Sequence, residues 1–421
     1  MTFFQKFLHY FKVFSDRKLL AFMGSGLIVS VAYMDPGNWG TDISGGASFN
    51  YDLLWVVWLA SGMAMLFQYL SGKLGIAGYS LPELVKEKLK KKWLIWSYWI
   101  LAEFAILATD LAEFLGIVVA LNLLFGIPLL FGTYIAVADV LIILLLTQKK
   151  FRTLEQSFVI FVSVIGLGYV YELFITKPDI QSILVHSVKP ILTSESALIA
   201  VGIIGATVMP HALFVHSWLI KNKIIGNHFG SKSKILKYHL IDNVVSLTIA
   251  GFINAAIIIM SAAAFYQVVN VATLDQAYTT LIPLFGKFAA LVFALALLSA
   301  GISSSVTGTL AGQSVMDGLT GFKISLWVRR LITRFINVIP VTIAVLLGIE
   351  PLKILVLSQV ALSLLIPLPL IPLIIYTADK NIMKGLVNKK ITTVFAVIFA
   401  VVILGFNAYL LYQVIFQGVG I

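Results

Sequence analysis

The sequence predicts an all-α integral membrane protein assembled from two inverted halves, and three observations carry that prediction. Hydrophobic residues make up 60% of the 421 residues and charged residues only 12%, too few charges to cover a water-soluble fold. Apolar stretches of about 20 residues, the length that spans a bilayer, recur from end to end. Two of these stretches are interrupted by a proline among polar groups, at Val31-Ala-Tyr-Met-Asp-Pro-Gly-Asn38 and at Gly205-Ala-Thr-Val-Met-Pro-His211. The interrupted spans stand five apart. Five is odd, so the second crosses the membrane in the opposite direction to the first. Broken helices at corresponding places in oppositely oriented halves point to an inverted-repeat transporter with its site near the midplane.

Eleven spans are read in order, at roughly 19–47, 52–75, 94–122, 129–147, 155–175, 194–220, 239–266, 285–312, 328–348, 351–376 and 391–416. The chain, 1–421, is then one transmembrane domain. Its first repeat runs over 19–176, its second over 194–376, and an additional eleventh span occupies 391–416. The longest connections, 176–193 and 221–238, are too short to hold a soluble domain. No apolar segment followed by a small-residue cleavage site opens the chain, so no removable signal peptide is expected. There are no cysteines, which excludes disulfides and thiolate metal sites.

The net charge of +11 could suggest a nucleic-acid partner, but its distribution argues against one. With the N-terminus in the cytoplasm and the C-terminus outside, 26 of the 30 Lys and Arg residues fall on the cytoplasmic side. Only Lys177, Lys189, Lys287 and Lys353 do not. The basic excess is therefore a topology signal of cytoplasmic loops beside anionic lipid. The lipid bilayer is the expected partner. No nucleic acid and no obligate protein partner are expected.

The two breaks carry the chemistry. Pro36 and Pro210 each remove a backbone N–H and crowd the carbonyl four residues before, at Ala32 and Ala206. Gly37 adds freedom for an unwound turn. The freed carbonyls need partners, because irregular backbone at membrane depth is tolerated only inside protein or along a wet cavity. A bound cation is one such partner. Asp35 and Asn38 stand one helical turn apart, as do Ala206 and Met209. An ionised Asp at mid-membrane costs about 2.5–3.5 kcal/mol, which makes Asp35 an ion-site candidate. Asn38 offers a neutral oxygen, and Met209 a soft thioether that shifts preference from Mg²⁺ or Ca²⁺ toward later transition metals. A lone Met or a lone Pro kink in a membrane helix is ordinarily packing; the combination at matching places in both halves is not.

The third span carries Glu103, Asp110 and Glu113 on one face of an apolar helix. Such carboxylates require protonation or a partner from another helix. Arg329 and Arg330, entering the ninth span, are the available partners. The group reads as a proton relay, with a structural salt-bridge network as its alternative. His211 adjoins the second break as a protonatable group, and His216 is either another or a packed core residue. Five residues separate them, so they do not form a paired chelate. His9, His186, His228 and His239 fall in loops or at helix ends and are assigned no role.

These residues resemble the Nramp family (natural resistance-associated macrophage proteins), whose members are divalent metal transporters. Met34-Asp-Pro-Gly-Asn38 and Ala206-Thr-Val-Met-Pro-His211 carry the resemblance, with Ala108-Thr-Asp-Leu-Ala-Glu113, Gly126-Ile-Pro128, Ser303-Ser-Ser-Val-Thr-Gly308, Ala311-Gly-Gln313 and Leu357-Ser-Gln-Val360. It covers nearly the whole chain. It implies a LeuT-like fold in a bacterial cell membrane, Mn²⁺ and Fe²⁺ as typical substrates, Cd²⁺ also accepted, and coupling to protons. It places metal-ligand roles on Asp35, Asn38, Met209 and the Ala206 carbonyl, with Gln359 joining as the outer vestibule closes and Gln68 as a gating partner. It places the proton path at Asp110. The chain departs from the family pattern at Ala212, Phe214 and Leu365, which affects hydration, gating and coupling more than the ligands. Met209 argues against the magnesium and aluminium branches, which lack it.

The expected function is proton-coupled import of a divalent transition metal, Mn²⁺ first, by alternating access. The metal and protons are transported substrates, and no cofactor is expected. Two alternatives remain: a metal sensor without net transport, and a sodium-coupled solute symporter on the same fold. No phosphate loop, nucleophile triad or HExxH motif supports an enzyme.

Overall fold

The computed structural model describes residues 17–141, 145, 151–225, 229–266 and 274–416. His9, His228, Lys149, Lys150 and the end of the expected fourth span, 146–147, lie outside the described residues. The described residues are helical with no strand. Eight helices among them are long and apolar enough to cross a bilayer by length and composition. The other three expected spans fall short for visible reasons. The first is divided twice, at Gly24 and ahead of Pro36, into three short helices. The fourth is described as a shorter apolar segment, Leu129–Leu141. The ninth carries Arg329, Arg330 and Arg334.

The first span divides into α1 (Arg17–Phe22), α2 (Ser25–Ala32) and α3 (Pro36–Phe49). Gly24, at φ 127°, makes the bend into α2 that an L side chain resists. The N-terminus of α2 is capped from a distance: Asp242 accepts from the amides of Gly24 and Gly26 at 3.2 and 2.8 Å and from the Ser25 hydroxyl at 3.2 Å. Its carboxylate meets the positive end of the helix dipole there. The chain restarts at Pro36, the first residue of α3, with Asp35 as its N-cap. Proline is at home in that position because its missing N–H would have had no intrahelical partner.

Next come α4 (Leu54–Ala77), α5 (Leu81–Leu89), α6 (Lys92–Phe125), α7 (Leu129–Ala136), α8 (Phe151–Thr176) and α9 (Ile180–Val188). The sixth span repeats the design of the first. It divides into α10 (Ala197–Thr207) and α11 (Pro210–Ile224), with Met209 as N-cap and Pro210 at the first helical position. Then follow α12 (Lys232–Phe265), α13 (Leu274–Phe285), α14 (Lys287–Thr320), α15 (Leu326–Leu346), α16 (Pro351–Leu365), α17 (Pro367–Ala378), α18 (Lys380–Met383) and α19 (Lys390–Phe416). The short α5 is tied to α11 by a Glu83–Lys221 ion pair of 2.5 Å. Burial alone would raise the Glu83 carboxyl, but the Lys221 and Ser80 hydrogen bonds hold it below its ordinary value.

The seventh span begins at Lys232 rather than at 239. His239 is therefore two turns inside a helix and fully buried, not at an end. His186, on α9, lies 3.3 Å from Asp52.

Small residues let the broken helices approach their neighbours. A Cβ on Gly205 would lie 2.0 Å from the Gln359 carbonyl oxygen, so α10 and α16 touch backbone to backbone. A Cβ on Gly116 would lie 2.2 Å from the Pro36 ring. Gly205→Ala is expected to lower the thermal midpoint in detergent and reduce monodisperse yield, since overpacking costs about 1–3 kcal/mol or more when backbone must move. Fluorescence-detected size exclusion after a heating series reads this directly; an unchanged midpoint would contradict the close approach.

Candidate metal centre

The two helix breaks meet. Asp35 sits in extended backbone ahead of α3, and its Oδ1 accepts from the Asn38 amide at 2.9 Å and from Asn38 Nδ2 at 2.8 Å. Asn38 Nδ2 also donates to the Ala206 carbonyl at 2.9 Å, at the end of α10. One small donor thus bridges a carboxylate from the first break and a carbonyl from the second, which lies 168 residues beyond Asn38 itself. The i, i+3 spacing of Asp35 and Asn38 corresponds to this contact. Met209 is three residues beyond Ala206 and fully buried.

Gln359, on α16, closes the third side. A Cβ on Gly37 would fall 2.0 Å from Gln359 Nε2 and 3.0 Å from Asp35 Oδ2, so only glycine fits between them. Asp35 Oδ2 and Gln359 Oε1 are both buried without a hydrogen-bond partner. An orphaned carboxylate oxygen is costly in a dry interior, and a cation is a group that would satisfy Asp35 Oδ2.

The amide of Asn38 is turned in an informative way. Its nitrogen faces Asp35 and Ala206, while its Oδ1 accepts from Thr207 Oγ1 at 3.3 Å and Asn254 Nδ2 at 3.1 Å. For Asn38 to offer oxygen to a cation, the amide must rotate by half a turn. Its nitrogen would then face Thr207 and Asn254. Asn254 Oδ1 is buried and unpartnered, so a matching turn of that amide would accept the displaced N–H. Neither Thr207 nor Asn254 was picked out by sequence. Asn254 lies in the seventh span with no proline or charge beside it; a buried amide in an apolar helix was the only signal.

The carboxylates of α6 do find arginines from α15. Arg329 Nη2 reaches Glu103 Oε2 at 2.6 Å. Arg330 Nη1 lies 2.9 Å from Asp110 and 3.7 Å from Glu113. Two further members escaped the sequence reading. Asp139 pairs with Arg330 Nη2 at 2.8 Å and receives Arg334 Nε at 3.0 Å. Arg334 also donates to the Asp110 carbonyl at 3.1 Å and lies 4.7 Å from the Phe114 ring centroid. A lone carboxylate in the apolar fourth span was the available signal for Asp139.

The histidines separate. His211 Nδ1 is 3.0 Å from Thr109 Oγ1, which ties α11 to α6 beside Asp110. His216 Nδ1 is 2.8 Å from Gln68 Oε1, and Gln68 Nε2 donates to the Tyr33 hydroxyl at 2.8 Å. Gln68 therefore bridges the first break, two residues before Asp35, to α11. Asp35, Asn38, Ala206, Met209, Gln359, Gln68, His211 and His216 are all at 0% exposure, so the centre is closed on every side. Of the departures from the family pattern, Ala212 and Phe214 are buried, and Phe214 packs edge-on against Tyr98 at 6.2 Å. Asp42 and Glu172 were also passed over. They are buried, and their carboxylates have no hydrogen-bond partner.

Comparison with known proteins agrees with this architecture. Residues 26–413 match the family described as natural resistance-associated macrophage protein-like. The divalent metal cation transporter MntH of Deinococcus radiodurans is 42% identical over 402 residues, covering 95% of this chain and 91% of its own. MntH of Verminephrobacter eiseniae is 46% identical over 398 residues, covering 94% and 90%. Among solved structures, the Eremococcus coleocola manganese transporter in complex with an aromatic bis-isothiourea compound superposes with TM-score 0.83 at 31% identity, over 94% of this chain and 86% of that one. The nucleobase-cation-symport transporter Mhp1 superposes at TM-score 0.54 and 14% identity over 93% and 88%, a likeness of LeuT-type fold alone. With the paired helix breaks, these matches show that the chain is a multi-pass membrane protein of the natural resistance-associated macrophage protein (Nramp) family of divalent metal cation transporters.

Proposed function

We propose that the chain imports Mn²⁺, and also Fe²⁺ and Cd²⁺, together with protons, by alternating access around the joined breaks. The N-terminus is cytoplasmic and the C-terminus outside. Asp35, Asn38, Met209, the Ala206 carbonyl and Gln359 are the ligands. The observation that carries this is the Asn38 amide bridging Asp35 and Ala206, beside the unpartnered Asp35 Oδ2. A cation entering there replaces the bridging N–H groups, takes both Asp35 oxygens, and draws Asn38 Oδ1 inward as the amide turns. Met209 adds the soft ligand that favours transition metals over Ca²⁺ and Mg²⁺. The Tyr33–Gln68–His216 bridge closes the centre toward the cytoplasm, and Gln359 on Gly37 closes it toward the outside.

The proton reading rests on charge balance. Four carboxylates, the half-buried Glu103 and the buried Asp110, Glu113 and Asp139, face three guanidiniums, Arg329, Arg330 and Arg334. One proton makes this cluster neutral. Glu113 seats it, since neither of its oxygens has a hydrogen-bond partner. Asp35 releases its proton on metal binding, with Asp110 as the acceptor and His211, beside Asp110 through Thr109, as an intermediate.

Reconstituted vesicles containing a pH dye test the reading. Inward Mn²⁺ flux should be accompanied by lumenal acidification that is abolished without protein; Mn²⁺ entry with no pH change would remove the proton coupling. Met209→Ala should narrow the preference for Cd²⁺ and Mn²⁺ over Ca²⁺ by about tenfold, the equivalent of about 1.4 kcal/mol. Competition uptake checks this, and an unaltered ranking would contradict the thioether role.

A further inference from the structure

His239 and His216 form a buried imidazole pair outside the centre described above. Their ring centroids are 5.1 Å apart at 73°, and both are at 0% exposure. His239 stacks on Tyr69, with centroids 5.7 Å apart and planes 7° apart. Gly72 makes its room: a Cβ there would lie 2.2 Å from His239 Cε1. The neighbours fix both tautomers. His239 Nε2 faces the Tyr69 carbonyl at 3.1 Å. A carbonyl only accepts, so that nitrogen carries the proton and Nδ1 is bare. His216 Nδ1 faces Gln68 Oε1 at 2.8 Å, while the Gln68 nitrogen donates to Tyr33. By the same logic His216 Nε2 is bare. Both bare nitrogens are buried and have no hydrogen-bond partner.

An imidazole whose other N–H is held by a carbonyl is oriented as metal-ligating histidines are. Imidazole nitrogen suits divalent transition metals and not Ca²⁺ or Mg²⁺. We propose that His216 Nε2 and His239 Nδ1 form a second, weaker station for a divalent transition metal ion, between the central site and the cytoplasm. The cargo and direction rest on the proposed function. His216 stands seven residues beyond Met209, about 10 Å along the α11 axis, toward the end that carries Lys221 and Lys223. The Tyr33–Gln68 hydrogen bond stands between the two sites. The pair therefore loads only when that bridge opens, and opening it also frees the Gln68 end that holds His216. Two imidazoles, with water completing the shell, hold an ion loosely enough to pass it on. Metal selection is then exercised twice, by thioether sulfur and by nitrogen.

Zn²⁺ binding to the full chain in nanodiscs, by equilibrium dialysis, tests the assignment in an Asp35→Ala/Met209→Ala background that lacks two central ligands. The expected result is about one retained Zn²⁺ per chain, whose affinity falls at least about tenfold on adding His239→Gln. His239→Phe keeps the stack on Tyr69 and should do the same, which covers a folding defect in either variant. The proposal is overturned if the background binds no Zn²⁺, or binds it with an affinity that neither His239 substitution alters. Should the central assignment be the one in error, the background binds as many ions as the unaltered chain, and substituting His239 still removes one.

Discussion

Asp35→Ala should reduce Mn²⁺ uptake into vesicles at least about 100-fold, equivalent to about 2.8 kcal/mol of lost interaction with the ion. Two effects are superposed in that variant. The carboxylate is the charged ligand, and it also caps α3 through the Asn38 amide, a contact whose loss costs about 1 kcal/mol. Asp35→Asn separates them. Asparagine is as good a helix cap as aspartate, so this variant should fold and keep the junction of the two breaks, yet transport no better than Asp35→Ala. Parallel thermal midpoints and uptake rates check the pair. If Asp35→Asn transported at the unaltered rate, the carboxylate would be a structural cap and the metal site would lie elsewhere.

Arg330→Leu should be the most damaging change outside the centre. Arg330 is at 0% exposure and faces Asp110, Asp139 and Glu113. Removing one partner of a buried ion pair costs about 3–5 kcal/mol, and here Asp110 is left buried without its ion-pair partner while Asp139 keeps Arg334. A cooperative membrane fold with ordinary stability of about 5–15 kcal/mol loses a large share of it. The expected outcome is low folded yield, measured by size exclusion, with any surviving protein moving Mn²⁺ without the accompanying pH change. Arg330→Lys keeps the charge but not the planar fork that serves several carboxylates at once. It should fold better than Arg330→Leu and still uncouple. Normal yield and normal coupling in Arg330→Leu would show that the cluster is neither structural nor part of the proton route.

What the sequence made legible was whatever local spacing or composition encodes. The broken helices were readable because a proline is a local event, and Asp35 with Asn38, or Ala206 with Met209, sits within one turn of it. The three-carboxylate face of α6 was readable for the same reason. Its partners Arg329 and Arg330 were found because charge in a membrane helix is rare. Asp139 and Arg334 pair across 195 residues, and no local spacing announces such a pair. Asn254 and Thr207 hold the far side of the Asn38 amide, a role set by tertiary contact alone. His239 was assigned no role because the seventh span was read from 239, which put it at the helix end. The helix begins earlier, at the Ser231 cap, whose side chain accepts from the Lys234 amide. A capping serine ahead of a basic turn was the overlooked mark.

The central claim is that a divalent ion sits where the two breaks meet. Anomalous diffraction from crystals soaked in Cd²⁺ tests it most directly. The account predicts one strong peak within bonding distance of Asp35, the Ala206 carbonyl and the Met209 sulfur, with the Asn38 amide turned so that its oxygen faces the peak and Asn254 turned to receive its nitrogen. A strong peak elsewhere, with Asn38 still donating to Asp35 and Ala206, would contradict it.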